Sequence, residues 1–297
     1  MSSFSTPLSR RLGLTYPIVC APMFLISNKE MLLACAEAGI LGTMPSINAR
    51  TSELFRAELE WLRARTDKPF GINFTIGLTD PERLKRDVEL AYEFEVPVFI
   101  TSYGNPTQIV REAHKRNVTV LHDVINLKHA KKAESAGVDA IIGVSQGAGG
   151  HAGTVNPYVF IPYLLQNLDI PVVAAGCISG GAQVAAALVL GAELAYMGTR
   201  FIASEECGAQ AAYKKLVVES DHTEVVYTDK VSGIHANFLK STIPSDTHVP
   251  GHGAESAKRW KDIWSAGQGV SLIHESKPIA AIVEDIVREY HDATKRL

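Results

Sequence analysis

The stretch SQGAGGHAGTV, residues 145–155, gathers Gly147, Gly149, Gly150 and Gly153 around one imidazole, His151. Glycine inside a regular element is less favourable than alanine by roughly 0.5–1 kcal/mol, so such a cluster marks a turn or a place where a ligand meets bare backbone. Histidine titrates near neutrality when unperturbed, which suits His151 to proton transfer. Two more glycine turns follow: AAGCISGG at 174–181 and MGTRF at 197–201. Backbone N–H groups at such turns, where a helix begins, favour a phosphate. Gly176, Ser179, Gly180, Gly198 and Thr199 would form that cradle.

Other reactive side chains carry weaker patterns. His122 and Asp123 are adjacent, and neighbours on a strand point to opposite faces, so they do not form a pair, although one of them can face a cavity. His235, His248 and His252 lack metal-ligand spacing, and no metal is expected. Ser145 has no Gly-x-Ser-x-Gly context. Cys20, Cys35, Cys177 and Cys207 show neither CxxC nor zinc spacing and read as free thiols, in a chain expected to be cytoplasmic.

The elements that must position these groups follow one rhythm. Short apolar runs at 17–23, 40–46, 70–76, 97–103, 119–124, 139–144, 171–177 and 194–199 alternate with amphipathic stretches. The runs are continuously apolar, as parallel strands covered on both faces are. Helix starts are signalled by Asn28, by Thr51-Ser52, by Asp80-Pro81, by Asn105-Pro106 and by Ser179. Eight such units predict an α/β fold, a (β/α)8 TIM barrel over 1–203. The rest, 204–297, reads as a helical stretch near 204–220, a polar excursion over 233–256, a glycine loop at 265–273 and a closing amphipathic helix. In a barrel the chemistry sits at the C-terminal strand ends. Those ends carry Ala21-Pro22-Met23, Asn73, Ser102-Tyr103, Asp123 and the three glycine turns, a set suited to a polar, planar ligand.

Composition narrows the partners. The 297 residues are 46% hydrophobic and 21% charged with a net charge of −3, and no Lys/Arg cluster appears. Nucleic acid and anionic membrane are therefore not expected. No run reaches the ~18 apolar residues of a membrane span.

APM at 21–23, GINF at 71–74, AGGHAG at 148–153, AAGCIS, MGTRF and WSAGQGVSLI at 264–273 together resemble the nitronate monooxygenase family of FMN-dependent barrels. That family also includes NAD(P)H:quinone reductases and flavin-dependent enoyl-acyl-carrier-protein reductases. The resemblance implies FMN, with Ala21, Pro22 and Met23 behind its ring, Asn73 at its polar edge or on its ribityl chain, Gly149, Gly150 and Gln268 beside it and the two late turns on its phosphate. It implies His151 as the catalytic group toward a nitronate, with O2 as oxidant. The alternative is an NAD(P)H-dependent reductase; the segment over 237–253 offers it a basic rim of Lys240 alone. A flavin-free, phosphate-binding isomerase or aldolase is more distant. A second copy of the chain is the one protein partner considered. Two positions depart from the family pattern. Gly147 stands where many members have glutamate, and Cys177 stands where the turn usually has a second glycine. Cys177 must keep negative φ or strain the turn.

Overall fold

The computed structural model describes residues 4–245 and 261–296. All eight apolar runs become parallel strands: β1 (Ile18–Cys20), β2 (Leu41–Pro45), β3 (Phe70–Thr75), β4 (Val98–Ser102), β5 (Thr119–Val124), β6 (Ala140–Val144), β8 (Val172–Ala175) and β9 (Leu194–Met197). β7 (Gly150–His151) lies outside this set. The eight close into a barrel, sealed where Ile18, Val19 and Cys20 pair with Ala195, Tyr196 and Met197. Most strands are shorter than the apolar runs, because the ends of the runs turn away into the loops that carry the site.

Two apolar layers hold the barrel. Inside it, Val19, Leu41, Ile100, Leu121, Ile142 and Val173 pack with Leu8 and Leu12 of the N-terminal segment. That segment forms α1 (Pro7–Arg11), capped by Thr6. The Thr6 hydroxyl donates to the Glu193 carbonyl at 2.7 Å, and the Leu8 amide donates to the Glu193 carboxylate at 2.6 Å. α1 thus plugs the N-terminal end of the barrel and leaves the C-terminal end as the open mouth.

Around the strands lie α2 (Lys29–Glu37), α3 (Ser52–Arg63), α4 (Pro81–Glu93), α5 (Thr107–His114), α6 (Leu127–Ser135), α7 (Pro157–Leu165) and α8 (Gly181–Val189). Asn28, Thr51 and Asp80 cap their helices as the sequence predicts, each accepting from an amide three residues on. Two predicted starts differ. Asn105 accepts from the amide and hydroxyl of Thr107, forming an Asx turn that moves Pro106 to the cap of α5. Ser179 does not cap α8; Gly180 occupies that position.

After β9 the chain forms α9 (Thr199–Ile202) and α10 (Ala211–Glu219), then two strands that the polar composition hid: β10 (Val225–Thr228) and β11 (Ala236–Leu239). All four residues of β11 are buried. β11 pairs antiparallel with β10 on one side and with β7 on the other, in the register Ala236 to His151 and Asn237 to Gly150. His248 and His252 lie outside the described residues. α11 (Ile279–Thr294) packs on α8 and α2, where the eighth barrel helix belongs.

Candidate active site

The open strand ends surround one cavity of about 2060 Å3. Ala21, Pro22, Met23, Asn73, Gly149, Gly150, His151, Gly176, Ser179, Gly198 and Thr199 all line it. Two expected residues do not. Gly180 faces the C-terminal helix, where an added Cβ would lie 2.5 Å from a Glu289 carboxylate oxygen. Gln268 stands behind the glycine loop, its backbone N–H donating to the Gly147 carbonyl at 2.9 Å.

The glycines around His151 allow two loops to cross backbone on backbone. A Cβ on Gly267 would lie 2.5 Å from the Gly147 carbonyl oxygen, and one on Gly149 would lie 2.9 Å from the Gly267 nitrogen. The Gly267 amide donates to the Thr199 hydroxyl at 2.9 Å, and the Asn237 side chain donates to the Ala148 carbonyl at 2.7 Å. The loop is therefore thin and well tied.

Gly147 explains one departure from the family pattern. Its φ is +79°, and an added Cβ would meet Cys177 Sγ at 2.5 Å and Gln268 Oε1 at 2.7 Å. The Cys177 thiol and Gln268 amide fill the space that a side chain at 147 would need. Cys177 itself has φ +57°, against the expected negative φ. It therefore carries the left-handed strain in the turn after β8.

His151 is half-buried and fixed on three sides. Its backbone pairs with Ala236, its ring meets the Tyr103 ring edge-on at 5.5 Å, and its Nε2 lies 3.3 Å from the Ser232 hydroxyl. Ser232 spends its own proton on the Ile234 carbonyl at 3.0 Å. In that arrangement Nε2–H can donate to Ser232, the tautomer that carries the lone pair on Nδ1. Burial pushes this imidazole down to about 4, so it is neutral at neutral pH, below the value an exposed histidine would show.

Ser102 and Asp123, expected at strand ends but given no role toward the cofactor, also line the cavity. Ser102 and Asp123 hydrogen-bond to each other at 2.5 Å. Asn73 donates to Ser102 at 2.9 Å and to the Ile100 carbonyl at 3.2 Å. His122 turns to the other side of β5 and meets the Thr101 hydroxyl at 2.8 Å, as strand alternation requires. The Ser179 and Ser265 hydroxyls, both on the cavity lining, are buried without a hydrogen-bond partner among the described residues. A buried unpaired hydroxyl is disfavoured by about 1–3 kcal/mol, so both are left with hydrogen-bonding capacity on the cavity wall. The mouth is apolar and basic. Leu25, Leu78, Ile125 and Ile234 are exposed on it, with Arg50, Lys131, Lys132 and Lys261 beside them. Ser232 and Ile234 reach the cavity only through the β10–β11 excursion, and no local pattern announces them.

Comparison with known proteins agrees with the geometry. The family model for nitronate monooxygenase matches residues 5–289. A probable nitronate monooxygenase of Staphylococcus saprophyticus is 26% identical, with 98% of this chain and 99% of that protein aligned. A (3aS,4S,5R,7aS)-5-hydroxy-7a-methyl-1-oxo-octahydro-1H-indene-4-carboxyl-CoA dehydrogenase of Rhodococcus jostii is 30% identical over 85% of this chain and 70% of its own length. Among solved structures, FabK from Thermotoga maritima superposes with a TM-score of 0.86 at 30% identity, covering 98% of this chain and 97% of that one. The chain belongs to the nitronate monooxygenase family and is a flavin-dependent oxidoreductase.

Proposed function

We propose that the chain binds FMN across the open strand ends and oxidises small nitronates with O2. One observation carries this reading: a neutral, firmly held imidazole and an unpartnered buried serine hydroxyl at a glycine turn share one cavity. The residues fit the cofactor. Ala21, Pro22 and Met23 offer an apolar wall for a flat ring, and Gly149 and Gly150 offer bare backbone. Asn73 suits a polar edge, and Gly176, Ser179, Gly198 and Thr199 suit a phosphate. Gly180 and Gln268 support those turns from behind. When bound, FMN accepts electrons from the substrate and hands them on to O2.

His151 does the proton work. An anionic nitronate beside Nδ1 favours the imidazolium, so substrate binding draws the depressed imidazole back up and takes up a proton. Ser232 keeps the ring in one tautomer throughout. The apolar residues at the mouth limit water around the reacting groups. The test is His151→Asn. Nitronate-dependent O2 uptake is expected to fall by about a hundredfold or more, with the yellow flavin spectrum retained. Unchanged uptake would remove the role, and a colourless wild type that ignores added FMN would remove the function.

A second reading is favoured by size and charge. The cavity is about twice the upper end of ordinary ligand sites, roughly 1,000 Å3. Its basic rim comes from Arg50, Lys131, Lys132 and Lys261; Lys240, the one Lys or Arg of the 237–253 segment, does not line it. A nicotinamide nucleotide or an enoyl thioester fits such a space, which makes NAD(P)H-dependent reduction the alternative. NADH oxidation with a quinone, set against O2 uptake with alkyl nitronates, separates the two. No described helix is long and apolar enough to cross a membrane, and the four cysteines are unpaired. Both fit the cytoplasm, where we place the enzyme.

A further inference from the structure

The cavity floor contains a carboxyl that the reading above does not use. Asn73, Ser102 and Asp123 stand at the ends of three neighbouring strands, β3, β4 and β5, and all three line the cavity. The hydrogen bonds between them run in one direction. The Asn73 amide nitrogen donates to Ser102 and to the Ile100 carbonyl, so its hydrogens are spent and Oδ1 remains for a ligand. Ser102 accepts from Asn73 and donates to Asp123 Oδ2 at 2.5 Å. With Oδ2 accepting, a proton on the Asp123 carboxyl sits on Oδ1.

No ion pair among the described residues involves Asp123. The titratable groups that face it are two phenols, Tyr103 from the turn after β4 and Tyr196 from β9. Both are neutral: burial raises them, and the proximity of Asp123 pushes them further up. Among the described residues no cation compensates a charge here, and burial raises the Asp123 carboxyl to about 6. The floor therefore presents an acceptor, Asn73 Oδ1, next to a donor, Asp123 Oδ1–H. That pattern complements the alternating carbonyl and N–H groups on the polar edge of a flavin ring.

We propose that Asp123 is a proton-dependent hydrogen-bond donor of the flavin site, pointed by Asn73 through Ser102 at the polar edge of the bound ring. This rests on the flavin reading given above. Protonated, Asp123 strengthens binding and favours added electron density on the ring. Ionised, it places an uncompensated negative charge there and does the reverse. Bound flavin in turn holds the proton on Asp123 more tightly, by reciprocity.

The test uses the full chain, with and without FMN, and Asp123→Asn beside it. In the cofactor-free protein, infrared difference spectra should show a protonated-carboxyl band that fades as pH rises through about 6 and is missing in Asp123→Asn. FMN affinity of the wild type should weaken roughly tenfold from one pH unit below that midpoint to one above, as a single linked proton requires. Asp123→Asn should bind FMN with little change over the same range. Asp123→Ser provides the same comparison should the asparagine variant fail to fold. A wild type without the band, or a variant with the same pH dependence of binding, overturns the proposal. Failure of every protein to bind FMN at any pH sinks the flavin reading and this role with it. Equal binding by all sinks only the role.

Discussion

Cys177 carries a side chain in left-handed backbone, a conformation that disfavours an L residue by about 1–2 kcal/mol. Its sulfur also fills the space beside Gly147. Cys177→Gly should be close to neutral in thermal denaturation, since relief of the strain offsets the extra freedom of the unfolded chain. Cys177→Val, whose branched Cβ tolerates that backbone less well, should lower the melting temperature clearly. Gly147→Ala should destabilise by about 2 kcal/mol or more, because its Cβ meets Cys177 Sγ at 2.5 Å on a positive-φ backbone. Combined with Cys177→Gly it should recover part of that loss. A double-mutant cycle by calorimetry measures the coupling, and strict additivity would refute the contact.

At the scale of elements, the site depends on segments distant in sequence approaching closely. α8 and α11 meet backbone to backbone at Gly181, where an added Cβ would lie 2.1 Å from the Ile286 carbonyl oxygen. The Gly181 amide donates to the Glu289 carboxylate at 2.7 Å. Gly181→Ala must push the closing helix away and should cost about 2 kcal/mol or more in chemical denaturation, with flavin loading reduced as the neighbouring turn shifts. The β7–β11 ladder makes a different demand. Asn237→Ala removes the hydrogen bond to Ala148 and loosens the loop carrying His151. Nitronate turnover should drop several-fold with the melting temperature nearly unchanged; a wild-type rate would show that the ladder alone holds the loop.

For the whole molecule, three groups at or near the cavity contribute to how stability follows pH. Burial holds His151 and His122 at about 4, whereas an unfolded histidine titrates near 6.5. Between those values the unfolded chain binds protons that the folded one refuses, so stability is present above about 6.5 and is lost as pH falls through 4. Asp123 runs the other way. Raised to about 6 from the ordinary ~3.9, it keeps a proton in the folded chain that the unfolded chain releases, so its contribution is lost as pH rises through that window. Two histidines oppose one carboxyl, and the cofactor-free protein should lose stability on acidification. Asp123→Asn should steepen that acid loss and raise the melting temperature at neutral pH by a few degrees, while His151→Asn should flatten it. Melting curves across the range check all three signs.

The sequence alone determined the barrel, because parallel strands covered on both faces must be continuously apolar, and eight such runs with helix starts between them admit little else. It also put His151, Asn73 and the glycine turns at one end of the barrel, where all but Gly180 and Gln268 of the expected residues line one cavity. Only the tertiary structure decided the rest. The fit of Gly147 against Cys177 and Gln268, the Asn73–Ser102–Asp123 chain, the place of α11 as eighth helix and the pairing of His151 with β11 are contacts between segments tens of residues apart. No local periodicity encodes them. The polar stretch around Ala236 reads as a loop until the partner that buries it, the glycine strand beside His151, is in place. Hydrophobic pattern specifies which face of an element is covered; what covers it is settled when the chain closes on itself.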